Sequence, residues 1–399
     1  MSDAQAPVKL VLKKREERRL RAGHLWVFSN EIDTRSTPLR GLEPGQSVSI
    51  VSANGKPLGF GYANPASLIA ARLLTHGRRP VDVPALLRER IAQCVALRER
   101  LYDAPFYRLV YGEADFLPGL VVDRYGDVLV AQIATAGMEV HRDGIVDALD
   151  HALKPTGILW QNTSPLRRFE GLEQYRAVAA GEVPDSVTIV EGDAEFEAPL
   201  MAGQKTGWYY DQRDNRLALR RLVKGARVLD VCSYVGAWGV QAARAGARDV
   251  LCVDASETAL AFAADNAGRN GVNLRTRQAD AFEALRSLRD DGEKFDVVVL
   301  DPPAFIKRRK DRDEGRQAYR RLNDLALKLL VPDGILVTCS CSHFMDADAL
   351  GGVVQACSRR AGRFARLLST GYQGADHPVH PAIPETRYLK ALTYHVSGS

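Results

Sequence analysis

The chain has 399 residues, which is too long for one ordinary domain and indicates two or three. Hydrophobic residues make up 46% and charged residues 26%, a balance that permits hydrophobic cores, and the formal net charge is only +5. No apolar stretch approaches the roughly 20 residues of a membrane span, and the N-terminal residues lack the apolar core of a signal peptide, so we expect no membrane association.

The first predicted domain covers residues 1–80 and consists of short strands separated by turns. Asn54-Gly55 between two alternating segments is a strong hairpin signal. The pattern predicts a small β-barrel with strands at 8–12, 46–51, 58–63 and 67–74 and an early helix at 13–22.

The second predicted domain covers residues 81–186 and mixes helices with strands. A helix over 84–101 has apolar residues at helical spacing with charges between them. The pattern predicts an α+β domain with strands at 107–111, 119–124, 127–133 and 157–161 and a second helix at 138–153.

The third predicted domain covers residues 187–399 and has an α/β pattern. A hairpin over 187–198 and a helix over 211–223 precede a strict alternation of strands and helices, which predicts a doubly wound parallel sheet. A last strand near 387–396 is expected to close this sheet. The five alternating strands are predicted at 226–232, 248–254, 272–278, 295–301 and 334–340.

Acidic residues follow three of these strands. The turn after the first strand contains neither a Gly-x-Gly-x-x-Gly fingerprint nor a Walker loop; instead Asp230 closes the strand and Gly236 opens the helix. Asp254 is placed to accept hydrogen bonds from ribose hydroxyls, and Asp280 lies within reach of an adenine amino group. Each acid alone could be a helix N-cap, but this explanation fits the set poorly.

The segment Gln204–Asn215 precedes this core and combines glycine, tyrosine, basic, acidic and amide residues with little apolar pattern. Such a segment is costly to bury without partners. It predicts a loop that wraps a ligand rather than a structural turn.

Two further strand ends carry chemistry. Asp301-Pro-Pro-Ala-Phe305 offers a carboxylate, a stiff loop with free carbonyls and an aromatic ring that could stack on a base. This motif occurs in methyltransferases acting on exocyclic amines. Methylation of a pyrimidine C5 requires more, because a thiolate must first add to C6. Cys341 is the candidate nucleophile, and Asp301 would protonate or hydrogen-bond N3.

The six cysteines show no disulfide-framework spacing, which favours reduced thiols and a cytoplasmic location. Cys339 and Cys341 lie two residues apart and, on a regular strand, point to one face. A zinc site would need two further ligands that are not evident, so we expect no metal. A buried, inert thiol remains an alternative for Cys341, and Cys339 is the better candidate for a core residue.

Basic residues cluster in 9–21 and in 307–321, the second cluster including Lys307 and Arg308. Such clusters could bind phosphates. A solvated charged face is the competing interpretation of either cluster alone.

Several longer motifs resemble the RlmI family of bacterial 23S rRNA 5-methylcytosine methyltransferases. The resemblance covers essentially the whole chain. Its motifs are His24–Ser29, Gly112–Gly119, Asp123–Gly126, Gln204–Arg216, Ser233–Gly236, Asp301–Phe305, Ser340–Ser342 and Ala375–Pro378.

The resemblance implies a PUA RNA-binding domain at 1–80, a central α+β domain at 81–186 and a Rossmann-like class I methyltransferase domain at 187–399. It implies S-adenosylmethionine as cofactor, 23S rRNA as partner, Cys341 as nucleophile and Asp301 as the acid that orients the base. The implied donor-binding residues are Lys205, Tyr209, Asp211, Arg213, Ser233, Tyr234, Gly236, Asp254, Ser256, Asp280 and Asp301. The implied substrate-binding residues are Pro302, Pro303, Phe305, Lys307 and Arg308.

The chain departs from the family pattern at Val235, Cys339 and His343, and the extra cysteine leaves its own role open. Two other functions stay open at this point. One is methylation of an exocyclic amine of guanine or adenine in rRNA, and the other is a non-catalytic RNA-binding assembly factor. The oligomeric state is also open, and a homodimer is compatible with the sequence.

Overall fold

The computed structural model describes residues 7–77, 81–201, 203 and 206–398. The chain divides into two compact units. The first unit comprises Met1–Asp185, Pro199–Trp208 and Ala375–Thr386, and the second comprises Ser186–Ala198, Tyr209–Gly374 and Arg387–Ser399. Two segments of the predicted methyltransferase domain therefore belong to the first unit. No helix in the described parts of the chain is both long and apolar enough to cross a bilayer.

The first sheet of the first unit has five strands in the order β1-β3-β4-β5-β2. Its β1 runs parallel to β3 and the other pairs are antiparallel. The hairpin predicted from Asn54-Gly55 is confirmed, with Gly55 at φ +72° in the turn. The elements are β1 (Val8–Val11), α1 (Arg18–Arg21), β2 (Trp26–Phe28), β3 (Gln46–Val51), β4 (Pro57–Ala63) and β5 (Ile69–His76).

The helix predicted over 13–22 is wrong in length, since only α1 is helical. Arg15 adopts φ +76°, a left-handed conformation that an α-helix cannot include. The dense charges of this stretch therefore lie mainly in a turn.

The second sheet of the first unit has the order β10-β9-β8-β7-β6, with β8 and β9 parallel and the rest antiparallel. Helices α2 and α4 contribute Leu87, Ile91, Ile145 and Leu149 to its core. The predicted helix over 138–153 is divided into α3 and α4. The elements are α2 (Val83–Leu101), β6 (Phe106–Tyr111), β7 (Leu120–Tyr125), β8 (Val128–Ile133), α3 (Ala136–Val140), α4 (Arg142–Leu153), β9 (Gly157–Asn162) and β10 (Tyr175–Gly181).

Buried polar contacts tie the first unit together. Arg98 is fully buried, binds both carboxylate oxygens of Asp115 at 2.8 and 2.7 Å, and donates to the carbonyl oxygen of Asp376 at 2.9 Å. Asp376 also accepts a hydrogen bond from the backbone nitrogen of Arg108 at 2.9 Å. These contacts hold the segment Ala375–Thr386 in this unit.

The second unit is built around a seven-stranded sheet in the order β15-β14-β13-β16-β17-β19-β18. The first five strands of this order, from β15 to β17, are parallel, as the strand–helix alternation predicts. β19 is antiparallel to both of its neighbours, β17 and β18. A two-stranded hairpin of β11 and β12 precedes the sheet. The elements are β11 (Ser186–Glu191), β12 (Ala194–Pro199), α5 (Arg213–Leu219), β13 (Arg227–Val231), α6 (Ala237–Arg244), β14 (Asp249–Asp254), α7 (Glu257–Arg269), β15 (Arg275–Gln278), α8 (Ala281–Asp290), β16 (Phe295–Leu300), α9 (Arg312–Leu329), β17 (Leu330–Ser340), α10 (Ala347–Arg360), β18 (Arg363–Gly371) and β19 (Lys390–Gly398).

The expectation that the last strand closes the sheet is wrong. β19 lies between β17 and β18, and the unpredicted β18 forms the edge. Most side chains of β18 are exposed. An edge strand of this kind packs little against the core, so its sequence need not alternate between apolar and polar residues. The sequence signal for β18 is weak for this reason.

The strand order reverses between β13 and β16. The chain moves outward from β13 to β15 and then returns to β16 on the other side of β13. In open parallel sheets, ligands bind at the carboxyl ends of the strands beside such a switch point. The residues that follow β13 and β16 therefore lie where a ligand is expected to bind.

Candidate active site

The turn between β13 and α6 is tight and strained. Cys232, Tyr234 and Gly236 adopt φ values of +63°, +50° and +78°. The left-handed conformation is uncommon for residues other than glycine, such as Cys232 and Tyr234, and residues that adopt it cluster at functional sites. A Cβ atom on Gly236 would lie 2.7 Å from Cβ of Ala263, so only glycine fits there. The turn brings Ser233, Tyr234 and Gly236 to the switch point.

Asp254 fixes this turn from the end of β14. Its Oδ2 accepts a hydrogen bond from the backbone nitrogen of Tyr234 at 2.9 Å, and its Oδ1 accepts one from that of Ser256 at 2.9 Å. Ser256 in turn caps α7 through the backbone nitrogen of Ala259 at 3.2 Å. The carboxylate of Asp254 is partly exposed, and each oxygen retains a lone pair for a ligand hydroxyl.

Asp280 follows β15 and is the N-cap of α8. Its Oδ1 accepts hydrogen bonds from the backbone nitrogens of Phe282 at 2.9 Å and Glu283 at 3.2 Å. The side chain is exposed. The alternative role as a helix cap thus applies to Asp280, and capping through Oδ1 is compatible with a ligand contact through Oδ2.

Asp230 lies below this turn and is fully buried. Its Oδ2 accepts a hydrogen bond from the backbone nitrogen of Gly239 at 3.0 Å, whereas Oδ1 has no hydrogen-bond partner among the described residues. Burial raises the pKa of Asp230 to about 8, and the nearby charge of Asp301 adds to the effect. Asp230 is therefore largely protonated at neutral pH.

Asp301 follows β16 and is held by two donors. Gln212 Nε2 binds Oδ1 at 3.0 Å and Trp238 Nε1 binds Oδ2 at 3.0 Å. Burial raises the pKa of Asp301 to about 6; the Trp238 hydrogen bond opposes this shift and the charge of Asp211 increases it. A carboxyl group with this pKa can both accept and donate a proton near neutrality.

The segment that begins at Tyr209 lines the same region. The Tyr209 ring packs edge-on against Tyr234 at 5.4 Å between centroids, and burial raises the pKa of Tyr209. Asp211 is buried and accepts a hydrogen bond from the Tyr388 hydroxyl through Oδ2, while its Oδ1 has no partner among the described residues. The Arg213 guanidinium lies 5.2 Å from the centre of the Tyr210 ring. Lys205 lies outside the described residues.

The two cysteines of the Cys339–Cys341 pair differ in environment. Cys339 lies within β17, is fully buried in an apolar cluster with Val337 and Ala391, and has a pKa that burial raises well above the usual value. Cys341 follows the end of the strand and is partly exposed. The expected shared face of a regular strand therefore does not extend to Cys341, because β17 ends at Ser340.

Cys341 and Asp301 lie at the same edge of the sheet. Leu300 of β16 pairs with Thr338 of the parallel neighbour β17. Asp301 and Cys341 therefore follow the carboxyl ends of neighbouring strands. Both also act electrostatically on Tyr209, whose pKa each of them raises. The structure thus brings the predicted nucleophile and the predicted acid to one place.

A hydroxyl network connects the loops that carry these two residues. The Tyr319 hydroxyl lies 2.9 Å from Ser340 Oγ and 3.1 Å from Ser342 Oγ, and Ser342 Oγ accepts a hydrogen bond from the backbone nitrogen of Ile306 at 3.2 Å. Because Ser340 and Ser342 flank Cys341, the network holds the cysteine loop against the loop that follows Asp301.

The predicted substrate-binding residues differ in accessibility. Pro302 is buried and Pro303 is exposed, and Phe305 packs against Tyr319 at 4.8 Å between ring centroids while staying partly exposed. Lys307 is exposed. Arg308 is exposed too, but it pairs with Asp311 at 3.0 Å, which partly compensates its charge.

Three site residues were not among the predicted ones. Gln212 lies within the segment predicted to wrap a ligand. Trp238 lies in the first turn of α6, two residues after Gly236, the glycine predicted to open that helix. Lys390 is buried beside the cysteine loop, and a lone lysine in the apolar stretch of β19 was its only signal. Within residues 7–77, 81–201, 203 and 206–398, no group of three or more histidine, cysteine, aspartate or glutamate residues could hold a metal ion.

Comparison with known proteins agrees with this geometry. Residues 10–76 match a family described as a PUA-like domain, and residues 168–391 match one described as S-adenosylmethionine-dependent methyltransferase. Ribosomal RNA large subunit methyltransferase I of Klebsiella pneumoniae (strain 342) is 37% identical over 99% of this chain and 100% of its own length. The chain belongs to the ribosomal RNA large subunit methyltransferase I family. A member from Tolumonas auensis is 38% identical over 96% of this chain and 97% of its own.

A crystal structure of a protein assigned as a methyltransferase, complexed with SAH, has the same fold. It has a TM-score of 0.83 and 21% identity, and the match covers 97% of this chain and 100% of that one. The curated relatives confirm the family resemblance, and the family models together with this structure confirm the fold class inferred from the sequence. The chain is an S-adenosylmethionine-dependent methyltransferase with a PUA-like N-terminal domain.

The residues of the switch point fit S-adenosylmethionine. The cofactor carries an ammonium group, a sulfonium group and ribose hydroxyls, all of which favour carboxylate partners. Asp211 has a buried carboxylate oxygen without a partner among the described residues, and Asp254 offers an accessible acceptor. An unsatisfied buried oxygen such as that of Asp211 is costly unless a ligand binds it.

Proposed function

We propose that this chain methylates C5 of a cytosine in 23S rRNA, with Cys341 as the nucleophile. One observation supports the carbon-methylation chemistry most directly. Cys341 is partly exposed and follows β17, the strand that pairs with the one before Asp301, whereas Cys339 two residues away is fully buried in the core. The names of the curated relatives support ribosomal RNA of the large subunit as the substrate.

The chemistry assigned to these residues consists of addition of the thiolate, methyl transfer and elimination. The Cys341 thiolate adds to C6 of the cytosine while Asp301 donates a hydrogen bond or a proton to N3, so that C5 gains electron density. When bound, S-adenosylmethionine supplies the methyl group. Loss of the C5 proton to a base then re-forms the C5–C6 double bond and expels Cys341 as the thiolate, and a proton that Asp301 gave to N3 returns to Asp301.

The same proposal assigns a role to each predicted donor-binding residue. Ser233, Tyr234 and Gly236 would approach the donor through the strained turn, and Asp254 would bind ribose hydroxyls. The remaining donor contacts are assigned to Tyr209, Asp211, Arg213, Ser256, Asp280 and Asp301, and also to Lys205, which lies outside the described residues.

RNA binding is assigned to the PUA-like region and to the basic cluster in 307–321. Lys307, Arg309, Lys310 and Arg312 are exposed and can neutralise phosphates. The proposal retains domains at 1–80, 81–186 and 187–399, and a cytoplasmic location consistent with a ribosomal RNA substrate. A homodimer is compatible with it and is not required by the mechanism.

The decisive experiment identifies the modified nucleoside. A 23S rRNA transcript and immature large-subunit particles would each be incubated with methyl-labelled S-adenosylmethionine, digested and separated by mass spectrometry. We expect 5-methylcytidine with the wild-type protein and with Cys339→Ala, and no product with Cys341→Ala. An N-methylated guanosine or adenosine, or full activity of Cys341→Ala, would overturn the proposal in favour of an exocyclic-amine methyltransferase.

A covalent trap tests the nucleophile separately. RNA containing 5-fluorocytosine cannot lose the C5 substituent as a proton, so the enzyme should remain attached to it through Cys341. Peptide mapping of the adduct should locate the modification at Cys341. Absence of donor binding in calorimetry, together with retained RNA binding, would instead favour a non-catalytic assembly factor.

A further inference from the structure

Asn215 is a polar residue of α5 to which neither the sequence motifs nor the comparisons assign a role. Its Nδ2 lies 2.7 Å from Oε1 of Gln212 and 3.1 Å from the carbonyl oxygen of Tyr372. Gln212 Nε2 in turn lies 3.0 Å from Oδ1 of Asp301. These contacts form a continuous chain from the backbone after β18, through two side-chain amides, to the carboxyl group that follows β16.

The backbone carbonyl of Tyr372 sets the direction of this chain. A carbonyl oxygen only accepts hydrogen bonds, so the amide atom of Asn215 that faces it must be the nitrogen. The same nitrogen faces Gln212, so the Gln212 atom in that contact must be Oε1. The other half of the Gln212 amide, Nε2, therefore faces Asp301, and the network assigns both amides without ambiguity.

The space around Asn215 is as restricted as its hydrogen bonding. Gly371 is the last residue of β18, and a Cβ atom on it would lie 1.9 Å from Oδ1 of Asn215. The lack of a side chain at Gly371 therefore leaves the space that the Asn215 amide occupies. Any larger residue at this position would push the amide away from its two acceptors.

The second oxygen of Asp301 also faces a donor that cannot reverse. The indole nitrogen of Trp238 only donates, and it binds Oδ2 at 3.0 Å. Each carboxylate oxygen of Asp301 therefore has one lone pair that faces a donor of fixed direction. When Asp301 is protonated, its proton occupies one of the lone pairs that Gln212 and Trp238 leave open.

The hydrogen bond from Gln212 matters for the charge state of Asp301. Burial raises the pKa of Asp301, whereas the hydrogen bonds from Trp238 and Gln212 oppose this shift. Reversal of the Gln212 amide would replace one of these hydrogen bonds by repulsion between two oxygens. The other titratable groups that interact electrostatically with Asp301 are Tyr209, Asp211, Arg216, Asp230, Cys232 and Cys339.

From these contacts we infer that Asn215 is a positioning residue that transmits the fixed direction of the Tyr372 carbonyl to Gln212, so that Asp301 always faces a donor at Oδ1. The direction of the hydrogen bonds follows from the contacts alone. Its use in methyl transfer rests on the proposed function, in which Asp301 acts on N3 of the cytosine. The chain then determines which lone pairs of Asp301 remain for the base.

The test follows the ionisation of Asp301 without using the methylation reaction. Protein labelled with 5-fluorotryptophan carries four fluorinated side chains, because the chain has four tryptophans. Trp238→Phe identifies the fluorine signal of Trp238, which should shift as its acceptor Asp301 ionises, with a midpoint at about pH 6. Asp301→Asn should abolish this step.

Two variants break the chain in different ways. In Asn215→Asp the new carboxylate can donate neither to Tyr372 nor to Gln212, so the Gln212 amide should reverse and present Oε1 to Asp301. This should raise the midpoint by at least about one unit. Gly371→Ala displaces the Asn215 amide without adding charge and should raise the midpoint by about half a unit, because Gln212 then reverses part of the time.

Each variant has a matched control. Ala218→Asp places a carboxylate at an exposed position about one turn further along α5, and at about 0.15 M salt its charge is screened. Gly352→Ala adds a methyl group on α10, where nothing lies within 4 Å. Both controls should leave the midpoint nearly unchanged, and thermal unfolding would verify that every variant is folded.

An unchanged midpoint in folded Asn215→Asp, or a shift that Ala218→Asp reproduces, overturns the role of Asn215. If Asn215→Asp fails to fold, Gly371→Ala decides the question in the same way against Gly352→Ala. The wild-type protein offers an independent measurement, because the side-chain amide signal of ¹⁵N-labelled Gln212 should titrate with the same midpoint as Trp238. A Gln212 signal that does not respond to this ionisation overturns the inference even if neither variant folds.

The outcomes also distinguish this inference from the proposed function. If the midpoints shift as expected while Asp301→Asn retains full methyl transfer, the positioning by Asn215 stands and only the proposed role of Asp301 fails. If Asp301→Asn is inactive while Asn215→Asp leaves the midpoint unchanged, the proposed role of Asp301 stands and the positioning by Asn215 fails.

Discussion

The indole nitrogen of Trp238 donates a hydrogen bond to Oδ2 of Asp301 at 3.0 Å. Gln212 binds the other oxygen at the same distance and is itself held through Oε1 by Asn215 at 2.7 Å. The carboxylate is therefore fixed from two sides by residues on α6 and on the segment before α5. Fixed orientation of this kind is what an acid that orients a substrate base requires.

Replacement of Trp238 by phenylalanine should reduce methyl transfer about tenfold, equivalent to roughly 1.4 kcal/mol. The change removes one donor from Asp301 and keeps most of the aromatic packing. It should also raise the pKa of Asp301 above about 6, because the lost hydrogen bond favours the ionised form. A pH–rate profile would detect both effects, the second as an upward shift of the limb that Asp301 controls.

Trp160→Phe provides the matched control for this experiment. Trp160 is a similarly buried tryptophan in β9 of the first unit. Its replacement should leave the pH–rate profile in place. An unchanged profile for Trp238→Phe would show that the hydrogen bond to Asp301 has no catalytic consequence.

Alanine at Gly236 should abolish donor binding, whereas alanine at Gly271 should not. Both glycines have positive φ values, +78° and +63°, so each alanine incurs a conformational cost of about 1–2 kcal/mol. Only at Gly236 would the new Cβ also collide with Ala263, at 2.7 Å; at Gly271 nothing lies within 4 Å. Calorimetric titration with S-adenosylmethionine separates the two, and equal affinities would contradict a role for the close approach.

Much of the site was predictable because it depends on strand ends. Asp254 and Asp301 follow apolar strands in the sequence, and a parallel sheet necessarily gathers the carboxyl ends of its strands at one edge. The same logic placed Cys341 near Asp301. No tertiary information beyond the strand–helix alternation was needed for these residues.

The contacts that orient these groups were not predictable, because they join distant parts of the chain. Gln212 reaches Asp301 across 89 residues, and Lys390 reaches Ser342 across 48. Neither pair has a local pattern that would reveal it. The edge strand β18 escaped prediction for a different reason, since its exposed side chains need not alternate, and the segment Ala375–Thr386 joins the first unit through contacts such as that of Asp376 with Arg98.

The stability of the donor-free protein should fall as the pH rises through the range in which Asp230 differs between its folded and unfolded states. An unfolded aspartate has a pKa of about 3.9, while burial raises the pKa of folded Asp230 to about 8. Between these values the folded state binds more protons than the unfolded state, so rising pH destabilises it by at most about 1.4 kcal/mol per unit. Asp230→Asn removes this dependence.

Thermal unfolding midpoints at two pH values provide the measurement. The gain in midpoint of Asp230→Asn over the wild type should be larger at about pH 7.5 than at about pH 5. Asp249→Asn is the control, because hydrogen bonding to Arg275 lowers the pKa of Asp249, so its loss should lower the midpoint similarly at both values. A gain for Asp230→Asn that shrinks as the pH rises would be inconsistent with a protonated Asp230.

Substitutions at the two cysteines should separate stability from activity. Cys339→Ser places a hydroxyl in an apolar cluster and should cost about 1–3 kcal/mol of stability, while Cys339→Ala should cost less and retain full methyl transfer. Cys341→Ala should leave the unfolding midpoint nearly unchanged, because the side chain is only partly buried. Loss of activity in a folded Cys339→Ala would mean that the second thiol takes part in the reaction.

The basic cluster in 307–321 should increase RNA affinity by binding backbone phosphates. Its contribution should depend on the basic side chains that are not paired with an acidic residue of the protein. The double substitution of Lys307 and Arg309 by alanine should lower the slope of log affinity against log salt by about 2, because each lost cation releases about one counter-ion fewer. Arg308→Ala should change the slope less, since Asp311 already compensates Arg308. Arg359→Ala, at an exposed position on α10, serves as the control outside the cluster.

Filter binding of a 23S rRNA fragment between about 50 and 200 mM salt would measure these slopes. Equal slopes for the wild type and the double variant would show that the cluster is a solvated surface that does not bind RNA phosphates.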